Sequence, residues 1–426
     1  MKKTTLKGLD LDLFTETLDN GLKVFLVPFK DKKGYYADYL TRYGGKDIEF
    51  EVDGKMVSTP AGVAHFLEHK LFEQEDGIKP FEFYAKSGTE CNASTNSERT
   101  RYYIYGSNNR EENLEFLIDY VNSPYFTDEN VEKEKGIIIE ELNMYKAVPE
   151  RVINNTINEA IFKIHPVRLD VGGTIESVKT ITKEDLYMCY NTFYNPSNMI
   201  LALGGTFDPV EMLDIIKNNK KLNAKTKKNK IKLKEINEDE EVNIKYQEIE
   251  VPALTNMKVA FAIKTEIDEK KLHNIKTHRY LSVMLNILFG QSSIFRENLY
   301  KDGLLTSMSW GTSFTDNILT IEFNCQTDHP KEIVDKIINH FRNGKITPKD
   351  LERQKKIWIS STVFSSDIVY SVISSIVSEY MEFGEIDYNG IDSIRKLNIE
   401  ELKKVRAVIN YDNVAIVVAK TKEETK

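Results

Sequence analysis

A charged run near the middle of the chain limits how the sequence can fold, because it separates two stretches that each have their own apolar patterning. Between Asn218 and Glu241 the sequence is rich in lysine and then in acidic residues, and it contains no aromatic residue. Such a composition is typical of a linker. A chain of 426 residues also exceeds what one hydrophobic core normally serves. We therefore predict domains at 1–220 and 242–426, joined by a linker at 221–241.

Both stretches combine short strand patterns with helical patterns, and the second stretch resembles a degenerate copy of the first. In the first, strands are predicted at 14–18, 22–28, 35–43, 100–106 and 199–205, and helices at 60–72, 111–122, 128–146, 150–162 and 183–193. Thr59 and Pro60 have the signature of an N-cap followed by proline at the first helical position. We predict an α+β fold of two similar domains, each an antiparallel-rich sheet with helices packed on one face.

Composition excludes several classes of function. Hydrophobic residues make up 41% and charged residues 29% of the chain, as in ordinary globular proteins. The net charge of −8 argues against nucleic acid as the main partner, and no span approaches the ~20 apolar residues of a membrane helix. The N-terminus lacks the apolar segment of a secretory signal, so a cytoplasmic location is expected. Cys91, Cys189 and Cys325 are far apart and are predicted to be buried or inert thiols.

The first helix of this pattern contains the motif His65-Phe66-Leu67-Glu68-His69. At about 100° per residue, His65 and His69 lie about 40° apart on the helix and Glu68 falls within the same arc. Two imidazoles at this spacing suit Zn²⁺, and Glu68 beside a water on that ion would serve as general base. The alternative is an amphipathic helix that happens to expose two histidines. Such a match arises by chance about once per hundred chains of this length.

A catalytic zinc site needs a third protein ligand, and the helix predicted at 128–146 offers one. Glu134 and Glu141 are seven residues apart and share one helix face, whereas Glu140 is turned about 100° away. An acidic helix exterior is the alternative explanation of this pair. His165 has no partner at ligand spacing and is predicted to be structural.

Taken together, the H-x-x-E-H motif and the Glu134–Glu141 pair resemble the insulinase/pitrilysin family of zinc metallopeptidases, the inverzincins, and within it the YmfH-like bacterial branch. Similar stretches at Gly88–Thr95, Gly173–Ser177 and Phe193–Met199 extend the resemblance over nearly the whole chain. The resemblance implies that Glu141 is the third ligand of one Zn²⁺ per chain and that Glu134 supports the site from behind the ligands.

The same resemblance implies a substrate site and a mode of assembly. It places Gly88–Thr95 on an edge strand to which an extended peptide adds, with Asn92 and Ala93 binding the substrate. Main-chain hydrogen bonds then supply most of the recognition. For Asn92 the alternative is a turn or strand-end residue. Family members of this length form half of a clamshell and pair, as homodimers or with a homologous subunit, around a peptide chamber. The expected function is a zinc endopeptidase acting on peptides or small unfolded proteins.

The second half departs from the family pattern in two places. The helix pattern at Tyr280–Phe289 has Ser282, Leu285 and Asn286 where the first half has its motif, so no second metal site is expected. Many family members also carry an Arg and a Tyr that contact substrate, but the matching stretch Leu299–Ser307 has neither in its expected place. The alternatives are therefore a weakly active or non-catalytic subunit of a hetero-oligomeric complex, or a zinc hydrolase acting on a non-peptide amide.

Overall fold

The computed structural model describes residues 1–224 and 230–421. Its strands are β1 (Lys2–Leu6), β2 (Leu11–Thr17), β3 (Lys23–Pro28), β4 (Tyr35–Thr41), β5 (Glu49–Val52), β6 (Lys55–Ser58), β7 (Glu90–Thr95), β8 (Thr100–Gly106), β9 (Met199–Gly205), β10 (Ile231–Leu233), β11 (Tyr246–Val251), β12 (Lys258–Glu266), β13 (Ser307–Thr315), β14 (Ile318–Gln326) and β15 (Val414–Thr421).

The helices of the described residues are α1 (Val63–Lys70), α2 (Pro80–Ala85), α3 (Arg110–Val121), α4 (Asp128–Tyr145), α5 (Pro149–Ile161), α6 (Ile175–Thr180), α7 (Lys183–Phe193), α8 (Pro209–Asn218), α9 (Lys220–Asn223), α10 (Glu269–Leu272), α11 (Ile275–Phe289), α12 (Ile294–Lys301), α13 (Pro330–Asn343), α14 (Pro348–Ser365), α15 (Val369–Phe383), α16 (Gly390–Arg395) and α17 (Ile399–Val408). The α+β prediction is confirmed.

The chain folds into two compact units that do not coincide with its two halves. The first unit comprises Met1–Leu142, Leu169–Glu235 and Val363–Asn389, and the second comprises Asn143–Arg168, Ile236–Thr362 and the chain from Gly390 onward. The sequence predicts contiguous domains at 1–220 and 242–426. In the structure each unit instead includes a segment from the other half of the chain.

The two larger sheets have the same topology, as the internal repeat predicts; a third, small sheet has the order β10-β5-β6. In the first unit the strand order is β1-β2-β3-β9-β4-β8-β7, and in the second it is β11-β15-β12-β14-β13. Five strands correspond in order and direction: β3 and β9 are parallel, as are β11 and β15, and the remaining pairs of the common core are antiparallel. In this correspondence α1 and α11 follow equivalent strands. The strands β7 and β13 are both edge strands.

Each of the two larger sheets has helices on both faces, which differs from the prediction of helices on one face. In the first unit, α15 covers the second face of the sheet, where Val372, Ile373 and Ile376 pack against Phe25 and Ile200. In the second unit α5 packs on β12 and β15. The strand β9 explains this arrangement, because all seven of its residues are buried and a strand that is apolar on both sides must be covered on both sides.

The predicted linker at 221–241 is largely part of the folded units. Residues 225–229 lie outside the described residues, but β10 pairs with β5. Glu238 is buried and accepts the backbone N–H groups of Lys163, Ile164 and His165, while Lys264 donates to it at 2.9 Å. A buried carboxylate needs such partners. The acidic character of the run therefore reflects one buried ion pair as well as solvent-exposed charge.

Other predictions can be compared directly with the described residues. Cys91, Cys189 and Cys325 are buried free thiols, and burial raises the pKa of each to about 12. Within the described ranges no single helix is long and apolar enough to cross a membrane, and only the bent pair α14 and α15 passes that test when its two helices are counted together.

Candidate metal centre

The helix that contains the H-x-x-E-H motif begins later than the sequence predicts. Its N-cap is Gly62, at φ 97°, and not Thr59. A side chain at Gly62 would place its Cβ atom 2.6 Å from the carbonyl oxygen of Gly172, so glycine is required both for the conformation and for the close approach. Ser177 donates a hydrogen bond to the Ala61 carbonyl at 2.8 Å. The segment around Gly173 therefore fixes the start of α1.

A buried lysine connects α1 to the helix that carries the two glutamates. The side chain of Lys70 is fully buried, pairs with Glu73 and reaches the Asn130 carbonyl on α4 at 3.5 Å. Asn130 in turn donates to Glu73 at 3.4 Å. These contacts fix where α4 packs along the axis of α1. They thereby place Glu134 and Glu141 level with the two histidines.

The structure brings His65, His69 and Glu141 together. The Nε2 atoms of His65 and His69 lie 3.7 Å and 3.4 Å from the same atom, Glu141 Oε2, and one donor atom from each residue lies within 4.8 Å of the others. Ligands held at about 2.0–2.1 Å around a tetrahedral ion are themselves about 3.3 Å apart. The three donors are therefore spaced as the ligands of one ion. Glu140, the competing neighbour, is exposed.

The donor set fits zinc chemically. Two imidazole nitrogens and one carboxylate oxygen are a known catalytic zinc set that leaves one position for water. Glu141 Oε2 is buried and accepts no hydrogen bond from any residue that the structure describes. Burying an unpartnered carboxylate oxygen is costly, and a cation between the three donors would remove that cost.

Glu134 contacts a proposed ligand from behind. Its Oε1 atom lies 3.0 Å from His69 Nδ1, on the side of the ring opposite Nε2. Burial lowers the pKa of His69, but the hydrogen bond and charge of Glu134, together with Glu141, outweigh burial and raise that pKa overall. A carboxylate on Nδ1 also fixes the tautomer, so that the lone pair is on Nε2 and faces Glu141.

Glu134→Gln should weaken zinc binding by about 10- to 100-fold without abolishing it, because it removes a charged group that orients His69 rather than a ligand. Zinc affinity is measured by competition with a chelating dye. Glu140→Gln, an exposed change on the same helix, is the matched control and should bind zinc like the wild type. Equal affinities for Glu134→Gln and Glu140→Gln would contradict the role of Glu134.

Glu68 lies beside the three donors but is not one of them. The Thr95 hydroxyl donates to Glu68 Oε2 at 2.6 Å. Burial raises the pKa of the Glu68 carboxyl, and the neighbouring charge of Glu141 adds to that rise, while the Thr95 hydrogen bond and His69 oppose it. A carboxyl group with a raised pKa in a half-buried site is suited to take up and release a proton.

The predicted substrate residues lie on β7, the edge strand of the first sheet. Asn92 is exposed and Ala93 is buried, so their side chains are on opposite faces of the sheet. The backbone N–H of Ala93 donates to the side-chain oxygen of Asn92 at 2.8 Å. An added peptide strand that used this N–H group would have to displace the Asn92 side chain.

In the second unit, the places on α11 that correspond to the H-x-x-E-H motif hold Ser282, Leu285 and Asn286. Leu285 is buried, and Asn286 donates to the carbonyl oxygen of Ser282. The sequence-based prediction overlooked a neighbouring cation: Arg296, on α12, lies over Tyr300 and Trp310 and donates to the Tyr300 hydroxyl at 3.1 Å. Among the described residues no carboxylate pairs with Arg296.

Two family descriptions match the chain. "Insulinase (Peptidase family M16)" matches residues 54–175, which contain His65, Glu68, His69, Glu134 and Glu141. "Peptidase M16 inactive domain" matches residues 180–357, which belong mostly to the second half.

Curated relatives and solved structures point to the same family as these two descriptions. The "Uncharacterized zinc protease YmfH" of Bacillus subtilis is 34% identical over 97% of this chain and 97% of its own length. A protein of Arabidopsis thaliana named as a "mitochondrial-processing peptidase subunit beta" is 26% identical over 47% of this chain and 37% of its own length. The crystal structure of an M16-like peptidase from Alicyclobacillus acidocaldarius has a TM-score of 0.91 at 28% identity, covering 97% of this chain and 99% of that one.

Proposed function

The chain belongs to the insulinase family, peptidase family M16, and from this membership we propose that it is a zinc endopeptidase that hydrolyses peptides or small unfolded proteins. His65, His69 and Glu141 would hold one zinc ion per chain, and Glu68 would act as the general base. The observation that carries this proposal is the convergence of two Nε2 atoms on one Glu141 oxygen that accepts no hydrogen bond from the described residues, with the carboxylate of Glu68 beside them.

Zinc, when bound, supplies a Lewis acid that polarises a carbonyl group and lowers the pKa of water. The side chains of the protein handle the proton. Glu68 is placed to accept a proton from the attacking water and to pass it to the leaving amine. Glu134 holds the His69 ring in the tautomer that a metal requires.

The edge strand β7 supports a peptide substrate over a non-peptide amide. An extended peptide that adds to β7 would take most of its hydrogen bonds from the backbone, so many sequences could bind. Asn92 and Ala93 lie in the middle of this strand, three and two residues before Thr95, which contacts Glu68. The scissile bond would then lie near the general base.

The proposal is tested by metal analysis of the purified protein combined with mass spectrometry of a digested, unstructured peptide. About one zinc per chain with metal-dependent internal cleavage is the expected result. A protein that binds zinc but cleaves no peptide, alone or with a partner, would contradict it and favour the non-catalytic alternative.

The second half of the chain favours a paired enzyme. It matches a domain described as inactive, and in Leu299–Ser307 neither an Arg nor a Tyr stands at the position where many family members have it. We propose that the chain pairs with a homologous subunit; the Arabidopsis relative is itself named as a subunit of a processing peptidase. In a homodimer, Arg296 and Tyr300 would have to supply the missing contacts.

Adding a homologous subunit that lacks the zinc motif but keeps the Arg and Tyr should raise peptide cleavage by about 10²- to 10³-fold, the usual contribution of positioned transition-state contacts. Zinc content, measured before and after mixing, should not change. Full activity of the chain alone, unaffected by the subunit, would contradict the prediction. In that case Arg296→Ala should reduce the rate while Arg353→Ala, an exposed arginine on α14, should not.

A further inference from the structure

The carboxylate of Glu68 is held by one side chain, which comes from the edge strand. Glutamate has three side-chain torsions, and a general base that is displaced by about 1 Å can lose about 10²-fold in rate. Of the residues that the structure describes, Thr95 is the one whose side chain hydrogen-bonds the Glu68 carboxylate, at 2.6 Å. Glu68 on α1 is therefore positioned by the last residue of β7.

Thr95 is itself fixed by its partner across the β7–β8 hairpin. Thr95 and Thr100 are the final pair of that hairpin, and their hydroxyl oxygens are 3.2 Å apart. Thr100 is fully buried and donates its single hydroxyl proton to the Tyr43 carbonyl at 3.0 Å. Thr95 also has a single hydroxyl proton, and the shorter of its two contacts is the one to Glu68, so that proton is donated to Glu68. Thr95 is then held by its backbone pairing with Thr100 and not by a hydrogen bond between the two hydroxyls.

The turn that joins the two strands adds rigidity. Asn96 closes the turn with a hydrogen bond from its N–H group to the Arg99 carbonyl at 3.0 Å, and its side chain accepts from the N–H groups of Glu98 and Arg99. An asparagine side chain used in this way stabilises a tight turn. The Thr95 hydroxyl therefore belongs to a rigid hairpin end rather than to a mobile loop.

We propose that Thr95, held by Thr100, is the positioning residue for Glu68, and that it sets the distance between the base and a peptide bound along β7. This inference rests on the proposed function. Because Thr95 ends the strand to which the substrate would add, a single residue determines where both the substrate backbone and the base lie. A methyl group in place of the hydroxyl would leave the strand and the Thr95 N–H in place and remove only the side-chain hydrogen bond to the carboxylate.

The test compares Thr95→Val with Thr95→Ser and with Thr17→Val, the same change at an exposed strand end far from the site. Thr95→Val should lower kcat by about 10- to 100-fold with a smaller change in KM and unchanged zinc content. Thr95→Ser should recover most of the rate, and Thr17→Val should match the wild type. In the Glu68→Gln background, Thr95→Val should cause no further loss, since it acts through Glu68.

Three results would overturn the proposal: an unchanged kcat in Thr95→Val, an equal loss in Thr95→Ser, or an undiminished loss in the Glu68→Gln background. Crystal structures of the metal-free wild type and Thr95→Val supply a readout independent of turnover, in which the Glu68 carboxylate should move in the variant alone. If the wild type cleaves no peptide, alone or with a partner subunit, the proposed function fails, and these two structures still decide whether Thr95 positions Glu68.

Discussion

Glu68→Gln should keep about one zinc ion per chain while peptide hydrolysis falls by about 10²- to 10⁴-fold, the contribution of a positioned general base. The amide has nearly the shape of the carboxylate and can still accept the Thr95 hydrogen bond through its oxygen, so the local structure should persist. It cannot take up a proton from water. Zinc is measured by atomic absorption, and hydrolysis is measured with a fluorogenic unstructured peptide.

A direct comparison of metal content tests the division between base and ligands. If Glu68→Gln lost its zinc as readily as a ligand variant does, Glu68 would be part of the metal set and its assignment as the base would be wrong. The thermal stability of the zinc-free wild type and the zinc-free variant should be similar, which separates a loss of chemistry from a loss of fold.

His65→Ala, His69→Ala and Glu141→Ala should each lose zinc on dialysis and with it nearly all hydrolysis. The physical reason is that each substitution leaves two protein ligands, one fewer than known catalytic zinc sites use. His329→Ala, a change of an exposed histidine, is the matched control and should retain the metal. A Glu141→Ala variant that keeps zinc while Glu140→Ala loses it would exchange the roles of these neighbours.

Zinc affinity should also fall as the pH is lowered, because protons and the metal compete for the same imidazole nitrogens. The hydrogen bond to Glu134 and the nearby carboxylates raise the pKa of His69 in the metal-free protein. His69 therefore stays protonated to a higher pH than an ordinary histidine does. On acidification, zinc affinity should begin to fall at a higher pH than it would for a site with an ordinary histidine. Glu134→Gln should shift that onset to lower pH.

Helix geometry was enough to group His65, Glu68 and His69, because they lie within five residues of one helix. The choice of Glu141 as the third ligand came from the family resemblance, and helix geometry added only that Glu140 is turned about 100° away. The internal repeat could also be found, because strand and helix patterns return in the same order. The start of α1 was predicted incorrectly: Thr59 and Pro60 have a good capping signature, but packing against Gly172 places the cap at Gly62.

Contacts between distant segments could not be read from local patterns. The apolar pattern of α15 predicts a buried helix but does not indicate which sheet it covers. The acidic run before residue 241 likewise does not indicate that Glu238 is buried against Lys264. Arg296 could not be recognised from the family pattern, because that pattern places its Arg within Leu299–Ser307. Arg296 lies one turn earlier on α12. The contact of Thr95 with Glu68 depends on how β7 packs beside α1, which strand patterns do not specify.

The placement of α15 has a consequence for biosynthesis. A ribosome completes β9 long before it reaches α15, so the sheet face formed by Phe25, Tyr36 and Ile200 stays uncovered while most of the second half is being made. Apolar strand surface exposed in this way is where nascent chains aggregate or recruit chaperones. A fragment released after residue 241 would contain every donor of the metal site and still lack one layer of its own unit. We expect such a fragment to precipitate rather than to hydrolyse peptides.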